Sequence, residues 1–379
     1  MTDKVEDTVE TTGQPTTHLD LPPGVPPLRS LYLYVAGSCN LACRHCWITP
    51  TLLTAGNGNS GKFVKLEHVE KAIHEALPLG IRSVKLTGGE PTLHPRFREI
   101  VDLIDRASLE IIIETNGTLV DLSLAQFLKE RRTCFISVSL DGATAETHDA
   151  LRMAKGSYDQ AIRGIQNLVE AGFHPQMICT LHRGNVSQIA EVIALAESLQ
   201  CGSVKFNHVQ LIGRGERFAD ENGLAIEEVI QAYQHLEREI LPHSKIRIQF
   251  DIPFAFHSIH SLLKGSLSHC TVLNILGMLS SGELSLCGVG VNFPELIYGN
   301  IECDDLAEVW LTSPGLASLR EQIPAKLEGV CGQCLHRDLC LGQCVAHNYH
   351  DKGRLNAPYN FCDRAEEMGL FPDSRKIDV

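Results

Sequence analysis

The chain has 379 residues, 44% hydrophobic and 21% charged, with 33 Lys and Arg against 46 Asp and Glu for a formal net charge of −13. Such a composition buries a sizeable core, as two domains or one large barrel with an attached module. With no basic run, it argues against a nucleic-acid or anionic-membrane partner.

Residues 1–27 lack the basic start and apolar centre of a secretory signal, and no apolar stretch is long enough to span a bilayer. The expected location is therefore cytoplasmic, where 14 cysteines point to metal rather than to disulfides. Being rich in Thr, Asp, Glu and Pro, 1–27 is expected to be a disordered tail. The apolar run 31–35 reads as a short buried strand leading into a loop with Cys39, Cys43 and Cys46. Residues 51–63, rich in Gly, Asn, Ser and Thr, are expected to be a mobile surface connection.

Strand-like and helix-like segments then alternate. Helices are predicted over 64–78, 97–107, 122–130, 158–171 and 186–199, and strands over 83–86, 110–114, 134–140, 176–181 and 204–210. With 31–35 these make six β/α units, which argues for a parallel sheet wrapped by helices. The chemically distinctive residues fall where strands end, the face that carries chemistry in barrels.

Cys39, Cys43 and Cys46 are spaced C-x3-C-x2-C. Three thiolates from one tight loop can hold three irons of a 4Fe–4S cube and leave the fourth open. A structural zinc site wants four protein ligands, and a complete cluster site four cysteines. On this loop alone, a zinc knuckle or unrelated buried cysteines remain the alternative. Two further segments bear on the choice: Gly88-Gly89-Glu90-Pro91 after the second strand, and Ser139-Leu140-Asp141-Gly142 with His148-Asp149, Arg152 and Gly156-Ser157-Tyr158-Asp159. Consecutive glycines at a strand end let the backbone approach a ligand closely, and Ser and Arg suit a carboxylate or ribose.

Taken together, these segments resemble the radical S-adenosylmethionine (SAM) superfamily, whose signature is C-x3-C-x-aromatic-C; His45 fills the slot usually held by Tyr or Phe. The resemblance implies an α/β fold, a partial (β/α)6 TIM-like barrel. It also implies that the amino and carboxylate groups of SAM chelate the open iron, and that one electron cleaves SAM to methionine and a 5′-deoxyadenosyl radical. Gly88, Gly89 and Glu90 would hold the amino group, Ser139 and Arg152 the carboxylate and ribose, with Asn116 and Gln210 as SAM or adenine neighbours. Pairing of Arg152 with Asp149 or Asp141 as ordinary loop chemistry is the alternative for that residue.

The last third of the chain carries a second array: Cys270, Gly282 and Cys287, spaced C-x11-G-x4-C, then Cys331, Cys334, Cys340, Cys344 and Cys362. Two closed zinc sites would need eight ligands, which seven cysteines supply only if a His such as His269 or His336 joins them. The array resembles the SPASM domain, which binds two auxiliary clusters. That resemblance implies one cluster on Cys331, Cys334, Cys340 and Cys362. A second would lie on Cys270, Cys287 and Cys344, its fourth site open or filled by a non-cysteine group. Residues 258–269 hold none of the extra cysteines some relatives have, so an open iron that binds a substrate thiolate or amide is expected. Sulfatase-maturing relatives carry an Asp base after the cysteine matching Cys287; Gly288 stands here, which disfavours a formylglycine-type oxidation. Cys134 and Cys179 are expected to be small core residues. The expected domains are the tail at 1–27, the barrel at 28–243 and the SPASM domain at 244–379.

The resemblance implies three 4Fe–4S clusters, one binding SAM and two auxiliary, in a radical SAM/SPASM enzyme. Segments 209–216, 287–290 and 360–362 further resemble peptide-modifying maturases, especially those of SynChlorMet-type cassettes. The expected substrate is a ribosomally made precursor peptide, oxidatively crosslinked or dehydrogenated, with flavodoxin or ferredoxin as electron donor. No leader-docking domain is expected ahead of the barrel, so recognition would rest on the barrel or on a separate peptide-recognition protein. The alternative is a dehydrogenase or epimerase acting on a sugar, aminoglycoside or haem precursor. Glu114, His208 and Asp251 lie near predicted strand ends, without a catalytic acid or base being assigned.

Overall fold

The structure is a computed structural model describing residues 19–53, 61–263 and 270–377. Strand β1 (Ser30–Ala36) is followed by two short strands, β2 (Ser38–Cys39) and β3 (Thr51–Leu52), which pair with each other. The repeating units follow: α1 (Leu66–Ala76), β4 (Ser83–Gly88), α2 (Phe97–Arg106), β5 (Glu110–Thr115), α3 (Leu122–Lys129), β6 (Cys134–Ser139), α4 (Ala145–Arg152), α5 (Ser157–Glu170), β7 (Gln176–Leu181), α6 (Ile189–Ser198) and β8 (Ser203–His208). After α7 (Arg214–Asn222) and α8 (Ile226–His235) come β9 (Arg247–Phe250), β10 (Ile275–Met278), β11 (Glu283–Ser285) and β12 (Ile297–Asn300). They form one ten-stranded sheet in the order β12-β11-β10-β1-β4-β5-β6-β7-β8-β9. It is parallel from β10 through β9, with β11 and β12 antiparallel at one end.

The six predicted strands are all present. Their two-residue side-chain alternation explains both faces of the sheet. Leu31, Leu33, Val84, Leu86, Ile111, Ile113, Val138, Met177, Val204 and Phe206 point into the core shared with the helices, each at most 1% exposed. The intervening Tyr32, Tyr34, Lys85, Thr87, Glu114, Ser139, Thr180 and Asn207 line the other, concave face. The helices show the matching period, as in α2, where Phe97, Ile100, Val101 and Ile104 are buried at i, i+3, i+4 and i+7. Asp121 caps α3 by accepting the Leu124 N–H at 2.7 Å, the stop-and-start signal of a helix N-terminus. Cys179 packs within the core, whereas Cys134 is half-buried and packs against it.

Three expectations are corrected. Of the predicted tail, 1–18 lie outside the described residues, but 19–27 are held in place. Leu19 N–H bonds Pro78 O at 3.0 Å, Trp310 Nε1 bonds Pro26 O at 3.0 Å, and Leu21 and Val25 pack on the core. The connection 51–63 is partly ordered because β3 pairs beside the cysteine loop, Leu53 N–H reaching Cys39 O at 2.8 Å; 54–60 lie outside the described residues. A seventh parallel strand, β9, continues the barrel sheet beyond the expected boundary at 243/244. Its four residues were too few to register as a periodic segment.

Candidate functional site

The C-terminal ends of the parallel strands open onto a cavity of about 390 Å³. Cys39, Cys43 and Cys46 lie on one wall, and Cys270, Cys287 and Cys344 also line it. So do Gly88, Gly89, Glu90, Asn116, Ser139, Arg152 and Gln210. Every residue expected to touch SAM is thus brought to one chamber.

The first cysteine loop is shaped by the strand next to it. Gly89 N–H bonds Ala36 O at 2.6 Å and Glu90 N–H bonds Ser38 O at 2.9 Å. A Cβ on Gly89 would stand 2.0 Å from Ser38 O, so only glycine permits this approach. Donors are already aimed at the sulfurs: Leu41 N–H at 3.4 Å and Asn116 Nδ2 at 3.9 Å from Cys39 Sγ, and Arg152 Nη1 at 3.7 Å from Cys43 Sγ. Burial pushes the Cys39 thiol up to about 12 and raises that of Cys43, partly offset by Arg152. Uncompensated, these thiols stay protonated; as thiolates they need a cationic partner at the centre. All 14 cysteines are free thiols. Three thiols from one loop, with N–H donors already aimed at two of the sulfurs, are a donor set that fits three irons of a 4Fe–4S cluster.

Glu90 also ties two strands together. Its carboxylate is 1% exposed and accepts bonds from Thr92 N (3.1 Å), Thr92 Oγ1 (2.5 Å), Thr115 Oγ1 (2.7 Å) and Asn116 N (2.8 Å). It thereby ties the end of β4 to the end of β5. Burial raises its pKa against those four donors. Asn116 carries the tie onward, donating to Asn40 Oδ1 at 2.8 Å within the cysteine loop. Ser139 stands on the cavity wall at the end of β6.

Arg152 takes the pairing set out as its alternative. Nε donates to Asp141 Oδ2 at 2.6 Å, and Asp141, 0% exposed, also accepts Thr180 N–H at 2.9 Å. Burial opposes the Asp141 charge, but Arg152 and then His45 hold its carboxyl well below the usual range. His148 Nδ1 accepts the Asp141 N–H at 3.0 Å, and burial drops the His148 pKa to about 4. His45 lies 4.0 Å from Asp141, likewise lowered by burial to about 4.

Sequence reasoning missed an ion pair on the cavity floor. Lys85 Nζ lies 2.8 Å from Glu114 Oε1 and 4.6 Å above the Tyr32 ring. Burial opposes both charges, but the pairing outweighs it, so the Lys85 pKa is raised and the Glu114 pKa lowered. Their alternation with buried aliphatics on β4 and β5 was the available signal. Also missed was Tyr34, on the same wall as Cys287. It receives the Gly288 N–H and, being buried, has a hydroxyl pKa well above normal. A Cβ on Gly288 would stand 2.3 Å from that ring. The ring therefore fills the space an Asp side chain would need.

The seven later cysteines line two separate cavities. Cys270 is raised by burial and then by Cys344 and Cys287, while burial pushes Cys287 up to about 12. Cys331, Cys334, Cys340 and Cys362 instead surround a separate small void of about 20 Å³ with Phe254, His336 and Phe371. There Tyr359 N–H reaches Cys331 Sγ at 3.3 Å and His336 N–H reaches Cys334 Sγ at 3.4 Å. Gln343 links the groups, accepting from Cys340 Sγ at 3.5 Å and donating to Asp251 Oδ1 at 2.9 Å. His208, its ring nitrogens buried without a hydrogen-bond partner, faces the Phe361 ring at 6.5 Å.

Fold and site together define an α/β barrel enzyme with three groups of thiols, two of them facing one chamber. The sequence profile of the Radical SAM superfamily matches residues 33–196. Mycofactocin maturase MftC of Mycobacterium tuberculosis is 30% identical over 333 residues, covering 86% of this chain and 80% of its own. An AdoMet-dependent heme synthase of Methanosarcina barkeri is 27% identical over 353 residues, covering 86% and 94%. Among solved structures, Streptococcus suis SuiB bound to S-adenosylmethionine superposes with a TM-score of 0.70 at 16% identity, over 89% of this chain and 77% of that one. The anSMEcpe enzyme with bound AdoMet and Cp18Cys peptide superposes with a TM-score of 0.69 at 18% identity, over 91% and 96%. The chain belongs to the radical SAM superfamily, a family whose members carry a 4Fe–4S cluster and bind SAM. No helix among the described residues is long and apolar enough to cross a membrane.

Proposed function

We propose that this chain is a cytoplasmic radical SAM/SPASM peptide maturase with three 4Fe–4S clusters, which oxidatively crosslinks or dehydrogenates a ribosomally made precursor peptide. The observation that carries the reading is the single chamber faced by two cysteine triads and all seven expected SAM contacts. Cys39, Cys43 and Cys46 would hold the SAM-binding cluster, and Cys270, Cys287 and Cys344 the nearer auxiliary one. Cys331, Cys334, Cys340 and Cys362 would enclose the farther. With SAM bound, the first cluster would supply the one electron that cleaves SAM to methionine and a hydrogen-abstracting radical, and an auxiliary cluster would accept the second electron of the oxidation.

The protein's own part is placement. Glu90 and Asn116 fix the cysteine loop against the ends of β4 and β5, leaving the backbone of Gly88 and Gly89 to face the methionine end of SAM. Ser139 and the Arg152 guanidinium, already paired with Asp141 and 3.7 Å from Cys43 Sγ, would face the carboxylate and ribose. Tyr34, Tyr32 and the Lys85–Glu114 pair form the floor between the triads, where substrate is shielded from water. Strands β1 and β4 to β8 and the later segments carrying Cys270, Cys287 and Cys344 build this chamber jointly. An electron donor such as flavodoxin or ferredoxin supplies the reducing electron, and a separate recognition protein could present the peptide.

Anaerobic reconstitution followed by SAM and dithionite tests the enzyme: 5′-deoxyadenosine should form, and bound zinc without iron would refute the reading. Co-expression with a small peptide encoded beside the gene should lower the peptide mass by two hydrogens. The family resemblance to AdoMet-dependent heme synthase supports a second reading, a haem precursor as substrate. Turnover of iron-coproporphyrin with the peptide unchanged would favour it.

A further inference from the structure

The triad Cys270, Cys287 and Cys344 lacks a fourth cysteine, and His347 stands beside it. Cys344 is the N-cap of the helix Val345–Lys352, which makes His347 its third residue. N-cap and N3 side chains lie next to each other, the geometry that lets a capping box form. The Cys344 thiol accepts the backbone N–H of His347, so the two residues already converge. The His347 side chain lines the same cavity as the three cysteines, is 9% exposed, and its Nε2 is buried with no hydrogen-bond partner. An orphaned imidazole nitrogen at a polar cavity wall is costly unless something binds it. The Tyr359 ring stacks along it at 6.3 Å and 24°, fixing its plane.

Glu114 pairs with Lys85 and Tyr34 receives Gly288 N–H. The ring nitrogens of His208 are also buried without a partner, but that residue ends β8 between the Phe250 and Phe361 rings, whereas His347 alone shares a helix turn with a cysteine of the triad. We propose that His347 Nε2 is the fourth protein ligand of the cluster on Cys270, Cys287 and Cys344, closing the iron that the cysteine count leaves open. Imidazole is a competent ligand for iron in clusters and raises their potential relative to thiolate. Closed in this way, the cluster transfers electrons without binding substrate. The proposal rests on the assignment of that triad to an auxiliary cluster.

The test uses full-length protein with Cys39, Cys43 and Cys46 changed to Ala, so that only the auxiliary clusters are reconstituted. On dithionite reduction, pulsed EPR of protein labelled with 15N-histidine should show strong nitrogen coupling to one cluster. The coupling should vanish in His347→Ala and persist in His208→Ala and His336→Ala. His347→Cys should keep the iron, lose the coupling and shift the midpoint potential downward, which also serves if His347→Ala folds poorly. Full iron content without histidine coupling, or coupling that survives loss of His347, overturns the proposal alone. Absence of iron from the background protein overturns the auxiliary-cluster reading and this proposal with it.

Discussion

At the scale of residues, the buried Asp141–Arg152 pair decides more than a surface ion pair could. Both partners are almost fully enclosed, so removing one strands the other charge. Arg152→Ala is expected to cost about 3–5 kcal/mol, read from urea denaturation of the apo-protein, whereas a change near zero would mean the carboxylate finds water. Because the folded Asp141 pKa is depressed, its contribution is present above the ordinary carboxylate pKa and fades as pH falls through and below it. His148 acts in the same direction from a higher pH. Its ring must stay neutral to accept the Asp141 N–H, and its folded pKa of about 4 lies below the ordinary 6.5. The unfolded chain therefore binds the proton first. Stability should fall between pH 6.5 and about 4, by up to about 1.4 kcal/mol per pH unit for this one group. His148→Gln should flatten that slope in denaturation midpoints taken across the interval.

At the scale of elements, strand alternation and helix period were legible because each is written within a few neighbouring residues. The first cysteine group was legible for a related reason, its ligands coming in one short, spaced run. The division of the other seven was not legible from spacing, since Cys344 follows Cys340 in the chain yet lines the chamber with Cys270 and Cys287; only the family resemblance separated them. The tie from Glu90 to Thr115 and Asn116 was not, since it depends on β4 and β5 lying in register. Nor was the Tyr34–Gly288 contact, which joins residues brought together only by β10 settling beside β1. That contact yields a prediction. Gly288→Asp should displace the Tyr34 ring and lower iron retention, while Gly288→Asp with Tyr34→Ala should recover it, as iron and sulfide analysis would show. Gly89→Ala, with no room beside Ser38 O, should abolish SAM binding in equilibrium dialysis even where iron is retained.

At the scale of the whole molecule, the cysteine groups are separable in content though not in fold. Cys331→Ala with Cys334→Ala should remove about a third of the iron and leave 5′-deoxyadenosine formation in place, since that void lies apart from the chamber. Loss of SAM cleavage with the first cluster intact would show that the farther site supports the barrel itself.

The pairing of β1 with β10, Ser30 opposite Ile275, sets an order of events at the ribosome. The strand that delivers the first cysteine loop has an unpaired edge until some 240 further residues have been made. Over that interval it is a ready template for the wrong partner. Contacts so distant in sequence form late, so loading of iron before release would fix the loop onto an unfinished sheet. Cluster delivery is thus expected to follow synthesis, and pulse-labelled chains stopped at residue 243 should be caught by chaperones rather than by the iron–sulfur assembly machinery.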